Sequence, residues 1–227
     1  MTLYDDASAA FHRGDNEKTR ALAEELRRSG QEVDGLCWLA RVELREGDFS
    51  SARELATQAR QTARDEEEGR APLHVQAAAA RMAGDVEAAR SLYLESIELN
   101  RRLVTPFVAA ELYNLGFLEL NAGDLARAKR LFDEALEEAR SREDDAVSRY
   151  IVLARGALAV EEGDARKGVR LLAAGEDEFA RGGEVLDPDD RAEVDRALEK
   201  ARTVLSPEEF AQAEAAGRGL SVDEALS

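Results

Sequence analysis

A Gly-Asp dipeptide recurs five times, at Gly14-Asp15, Gly47-Asp48, Gly84-Asp85, Gly123-Asp124 and Gly163-Asp164, separated by 33, 37, 39 and 40 residues. A period of this length marks a chain assembled from a repeated supersecondary unit. Each dipeptide lies between two stretches whose apolar residues follow helical spacing, so it predicts the turn of a helical hairpin. Glycine accepts the left-handed conformation at a helix C-terminus, and the following aspartate can cap the next helix.

The rest of the composition agrees. Aromatic residues make up 5% of the chain and prolines number four, while Ala, Leu, Glu and Arg abound. These are helix formers, and the fold class they predict is all-α. With 48 acidic side chains against 31 basic ones, the net charge of −17 repels a phosphate backbone, which argues against nucleic acid as a partner. The cations are mostly arginine, with only Lys18, Lys129, Lys167 and Lys200, a usage that suggests a G+C-rich bacterial genome.

The fourth repeat, LYNLGFLELNAGDLARAKRLFDEALEEAR, resembles the tetratricopeptide (TPR) consensus. Leu112, Leu115 and Gly116 match the large, large, small pattern of a first helix, and Ala128, Phe132 and Ala135 match the small, aromatic, small pattern of a second. The second repeat agrees with Leu36, Leu39, Ala40, Ala52, Leu55 and Ala59, and the third with Leu73, Ala77, Ala89, Tyr93 and Ser96. Repeats one and five match less fully, with Thr19 in place of alanine in the first and Gly168 and Gly175 in the fifth. Glu119 stands where the consensus has tyrosine, no proline closes a repeat, and three of the four intervals exceed the usual period of about 34, which implies longer helices or turns.

The resemblance implies a right-handed superhelical solenoid of about five helix pairs over residues 1–186, its concave wall built by the first helix of each pair. Residues 187–227 then form capping helices of the same solenoid. Asp187-Pro188 starts one of them, the capping box Ser206-Pro207-Glu208-Glu209 a second, and Ser221-Val222-Asp223-Glu224 a short last turn. Val194, Leu198, Val204, Leu205 and Phe210 are the tail's covering residues. The last 75 or so residues also resemble the C-terminal TPR arm of bacterial multidomain signal-transduction ATPases and LuxR-type regulators, through Gly163, Asp164, Leu171 to Ala174, Phe210, Gly217, Arg218, Leu220, Ser221, Glu224 and Ala225. In that family the arm senses an inducer or partner protein. No phosphate-binding G-x-x-x-x-G-K-[ST] loop and no basic helix-turn-helix accompanies it here.

Register places Tyr4 and Phe11, Cys37 and Arg41, His74 and Arg81, Tyr113, Phe117 and Asn121, and Tyr150 on the inner wall. Aromatics beside arginines are what binding hot spots use, although packing between repeats accounts equally well for Phe11 and Phe117. Trp38, the one tryptophan, reads as core, and Cys37 as a packing or groove-side residue rather than a redox switch. Asn114 alone occupies a position of the carboxylate clamp of chaperone-binding TPR domains, which argues against that ligand. Acidic runs at Asp65 to Glu68, Glu143 to Asp145, and Asp187 with Asp189 and Asp190 read as solvated turns, with a docking edge for a basic partner as the alternative. Glu24 with Arg28, Glu66 with Arg70 and Glu138 with Arg142 are spaced as i,i+4 surface pairs.

His12 and His74 lie far apart, Cys37 has no C-x-x-C companion, and no G-x-S-x-G elbow appears, so no metal, cofactor or catalytic site is expected. One cysteine, an opening without basic leader or long apolar stretch, and no window long enough to span a bilayer place the chain in the cytoplasm. The expected function is a non-catalytic adaptor or regulatory module that holds a protein or peptide in its groove. The alternatives are an inducer-sensing module and a self-assembling repeat protein, and the sequence leaves monomer and homodimer equally open.

Overall fold

The computed structural model describes residues 2–142 and 145–227, which form thirteen α-helices and, among the described residues, no strand. The chain divides into two compact units, residues 1–105 and 106–227. Unit 1 contains three helical hairpins: α1 (Leu3–His12) with α2 (Asn16–Arg28), α3 (Glu32–Glu46) with α4 (Phe49–Thr62), and α5 (Glu66–Met82) with α6 (Val86–Arg102). Within it α1, α3 and α5 pack side by side as one layer, and each second helix packs on the first helix of the next pair.

Unit 2 pairs α7 (Val108–Asn121) with α8 (Leu125–Ser141) and α9 (Asp145–Glu161) with α10 (Ala165–Arg181). The tail follows as α11 (Pro188–Val204), α12 (Pro207–Gly217) and α13 (Val222–Leu226). Here α7 and α9 form the first layer, and α11 packs against both α9 and α10. The tail is not a sixth hairpin, because α12 packs chiefly on α10 and scarcely on α11.

Each Gly-Asp joint does two jobs in two residues. The glycines have φ between 77° and 93°, and the Asp N–H groups bond back to Ala10, Glu43, Ala80, Glu119 and Ala159 carbonyls, closing the outgoing helix in a Schellman turn. The carboxylates of Asp15, Asp48, Asp85, Asp124 and Asp164 then accept from the N–H groups of Lys18, Ser51, Ala88, Arg127 and Lys167, so every second helix of a pair has its cap. At the end of α6 the left-handed residue is Val104, at φ 54° and 74% exposed.

Close approach of the hairpin helices depends on small residues. A Cβ on Gly116 of α7 would meet the Phe132 ring of α8 at 2.4 Å, and one on Gly168 of α10 would meet Val160 of α9 at 2.3 Å. Gly217 brings the end of α12 against the Arg170 carbonyl of α10, where a Cβ would stand at 2.0 Å. Capping boxes at Ser206/Glu209 and Ser221/Glu224 start α12 and α13.

Several local expectations are corrected. Val194 is buried in the tail, but Val204 is 67% exposed and covers nothing. Of the three spaced pairs, Glu138 and Arg142 meet at 2.7 Å, whereas the Glu24 carboxylate pairs with Arg27; Glu66 pairs across the hairpin with Arg102. Antiparallel packing brings the end of α6 beside the start of α5, so Glu66 finds its cation there. Glu143 and Asp144 lie outside the described residues, and Asp190 is buried at 4% exposure rather than solvated.

Candidate functional site

In unit 1 a capping box between Thr2 and Asp5 starts α1 and sets Tyr4 on its first turn. Gly35 lets α3 press on α2, since a Cβ there would stand 2.5 Å from the Ala23 carbonyl oxygen. This closeness seats Trp38 among Ala7, Phe11, Ala23, Leu26, Leu39 and Val42. The Tyr4 and Phe11 rings each lie 5.5 Å from the Trp38 ring, and the Arg41 guanidinium stands 5.5 Å from the same centroid. Arg45 lies 3.6 Å over Phe11 and donates to its carbonyl at 2.7 Å.

Exposure separates these residues by role. Tyr4 is 42% exposed and Arg41 half-buried, while Phe11 at 1% offers a partner no surface. Cys37, one turn before Arg41, is buried in a small cluster with Leu36 and Ala59. Burial pushes its thiol up to about 12, so it carries no thiolate at neutral pH. His74 is half-buried on α5 and Arg81 buried.

In unit 2 the expected wall residues Tyr113, Phe117 and Tyr150 do come together. Tyr113 makes edge contacts with Phe117 at 5.0 Å and Tyr150 at 5.8 Å, and Phe117 meets Phe132 at 5.2 Å. Tyr150 continues the group to Phe179 at 4.8 Å. Phe117 and Tyr113, at 1% and 3% exposed, are parts of an aromatic core rather than an open wall. Burial, and then the carboxylates of Asp187, Asp190 and Asp189, holds the Tyr150 phenol well above its ordinary pKa, so it stays a neutral hydroxyl.

The cover over this face is the chain's own α11. The Tyr113 hydroxyl donates to Asp190 at 2.6 Å and the Asn121 amide donates to Glu193 at 2.8 Å. Arg196 also reaches the Asn121 carbonyl oxygen, Arg191 pairs with Glu176 of α10, and Lys200 pairs with Glu161 of α9. Asp190 and Glu193, exposed by only 4% and 6%, are inner-face residues that the sequence reading misses. Their signal is spacing: with Val194, Ala197 and Ala201 they form one helical stripe, in which the two acids occupy the turn before the apolar residues.

A separate cleft of about 440 Å³ opens beside the α4–α5 turn, lined by Arg60, Arg64, Glu66, Leu73, Glu95 and Arg102. Its arginines pair with Glu95, Glu68 and Glu66 respectively. It is a polar surface recess, unlike the enclosed apolar pocket that an inducer site requires. Among the described residues no group of three or more His, Cys, Asp or Glu side chains could hold a metal ion, and no helix is long and apolar enough to cross a membrane.

No protein-family model and no curated protein matches the sequence. Solved structures do resemble it. A thermophilic TPR protein of Thermus thermophilus superposes with a TM-score of 0.61 at 21% identity, over 87% of this chain and 97% of that one. BtubC (BKLC) from P. vanneervenii gives 0.56 at 19% identity, over 100% and 90%. PilF of Pseudomonas aeruginosa gives 0.55 at 18% identity, over 94% and 95%. The fold is a TPR-like helical repeat.

Proposed function

We propose that this protein is a non-catalytic protein-interaction module, an adaptor or regulatory component that holds a peptide or protein partner against the first-helix layer of unit 1. The observation carrying this reading is the group around Trp38: an exposed Tyr4 ring and a half-buried Arg41 beside a large indole. Aromatic and arginine side chains in such groups supply much of the affinity of protein interfaces. The half-buried His74 on the adjoining α5 extends the proposed surface, while the buried Arg81 does not, and the corresponding face of unit 2 is already covered by α11. A regulatory role in bacterial signal transduction, in the cytoplasm, follows from the resemblance of the tail to the arms of signal-transduction ATPases and LuxR-type regulators.

The test is replacement of Tyr4 and Arg41 together by alanine. A partner captured from native lysate, then purified and titrated against the protein, should bind the double variant at least ten-fold more weakly while the melting temperature stays within a few degrees. Unchanged affinity of the purified partner would remove this face from recognition. Mass measured against concentration in the same samples separates partner binding from self-association.

A further inference from the structure

We propose that the Tyr4, Trp38 and Arg41 face of unit 1 docks a helical segment of a partner protein that carries two carboxylates three residues apart. The inference rests on the interaction-module reading and adds the chemistry of the partner. Its first support lies within the same chain, where the first-helix layer of unit 2 takes such a helix. There Asp190 accepts from Tyr113 and Glu193 from Asn121, and both carboxylates are buried in doing so.

Tyr4 stands in the register of Tyr113, ten residues before its turn glycine, but its ring remains 42% exposed. Arg41 is the second support. Its guanidinium lies over Trp38 at 5.5 Å and Phe11 at 6.0 Å, and makes no ion pair or hydrogen bond among the described residues. In a chain with 48 acidic side chains, an inner-layer cation held on aromatic rings without a carboxylate is a site with its counter-charge missing. A third, independent sign is Trp38 itself, whose Nε1–H is buried without a hydrogen-bond acceptor. Buried donors are nearly always paired, so the indole next to Tyr4 marks a place where an acceptor is missing.

The protein also carries its own reporter, because Trp38 is the one tryptophan of this sequence. The probe is a synthetic peptide of residues 187–204, held helical by a staple joining positions 195 and 199, both exposed on α11. Its control has Asp190→Asn and Glu193→Gln. The acidic peptide should change Trp38 emission saturably, the neutral peptide should bind at least ten-fold more weakly, and Arg41→Gln should weaken the acidic peptide by a similar factor with Arg41→Lys restoring part of it. Tyr113→Phe in the protein should leave this titration unchanged. No saturable change, equal binding of both peptides, or a dependence on Tyr113 and not on Arg41 would each overturn the proposal, the last because the peptide would be exchanging with the internal α11. If the peptide fails while a purified protein partner still loses affinity on Tyr4→Ala/Arg41→Ala, the acidic-helix chemistry is wrong and the module reading stands.

Discussion

Single residues decide whether the hairpins close. Gly116 is the clearest case, since an added Cβ would lie 2.4 Å from the packed Phe132 ring. Overpacking of this kind costs about 1–3 kcal/mol. Gly116→Ala should therefore lower the melting temperature of unit 2 although alanine is the better helix former. Val104 presents the reverse case. A β-branched residue in the left-handed region is strained by about 1–2 kcal/mol, and at 74% exposure its side chain contributes little packing. Val104→Gly should raise thermal stability, read by circular dichroism, and an unchanged or lower melt would mean that the turn is not under strain. Cys37 supplies a chemical test. Its thiol is raised from 9.0 to about 12, so the folded state holds the proton more tightly; the associated stability is complete below pH 9 and is lost as pH rises toward 12. At pH 8 a thiol reagent should react only at the rate of opening, and rapid stoichiometric labelling of the native protein would refute its burial.

At the scale of elements, the sequence is legible wherever a local signal dictates geometry. The Gly-Asp joints and the Ser206 and Ser221 caps can be read directly, because each needs only neighbouring residues to satisfy its backbone groups. The small residues Gly116, Ala128 and Ala135 likewise mark the close face of one hairpin. The candidate site is less legible. Tyr113 and Phe117 carry the aromatic spacing of an inner wall, and nothing local distinguishes a wall facing solvent from one covered by a later helix. That difference depends on α11, some 70 residues downstream, and on long-range pairs such as Tyr113 with Asp190. Removing that one donor, with Tyr113→Phe, deprives a buried carboxylate of a hydrogen bond and should destabilise unit 2 by about 1–3 kcal/mol. Circular dichroism should register the loss while Trp38 fluorescence, which belongs to unit 1, should melt as before. A simultaneous shift of both signals would show that the two units unfold as one.

For the molecule as a whole, charge sets the response to pH. Asp5, Asp48, Glu209 and Glu224 accept cap hydrogen bonds from Thr2, Ser51, Ser206 and Ser221, which hold their carboxyls below the ordinary values of 3.8 and 4.5. Depressed carboxyls contribute stability above those ordinary values and lose it as pH falls through the depressed ones. The net charge of −17 acts in the opposite sense, because partial protonation first relieves self-repulsion. Melting temperature should thus rise slightly from pH 7 toward pH 5 and fall steeply below about pH 4. A monotonic rise into acid would mean that the caps contribute little.

The joints themselves carry a mechanical consequence. Because each hairpin is closed within two residues and leans mainly on its neighbours, tension applied to the chain ends has natural places to act. A stretched molecule should lengthen in steps, each releasing one interval of 33 to 40 residues. At no more than 3.6 Å per extended residue, this predicts a sawtooth with increments on the order of 120–140 Å.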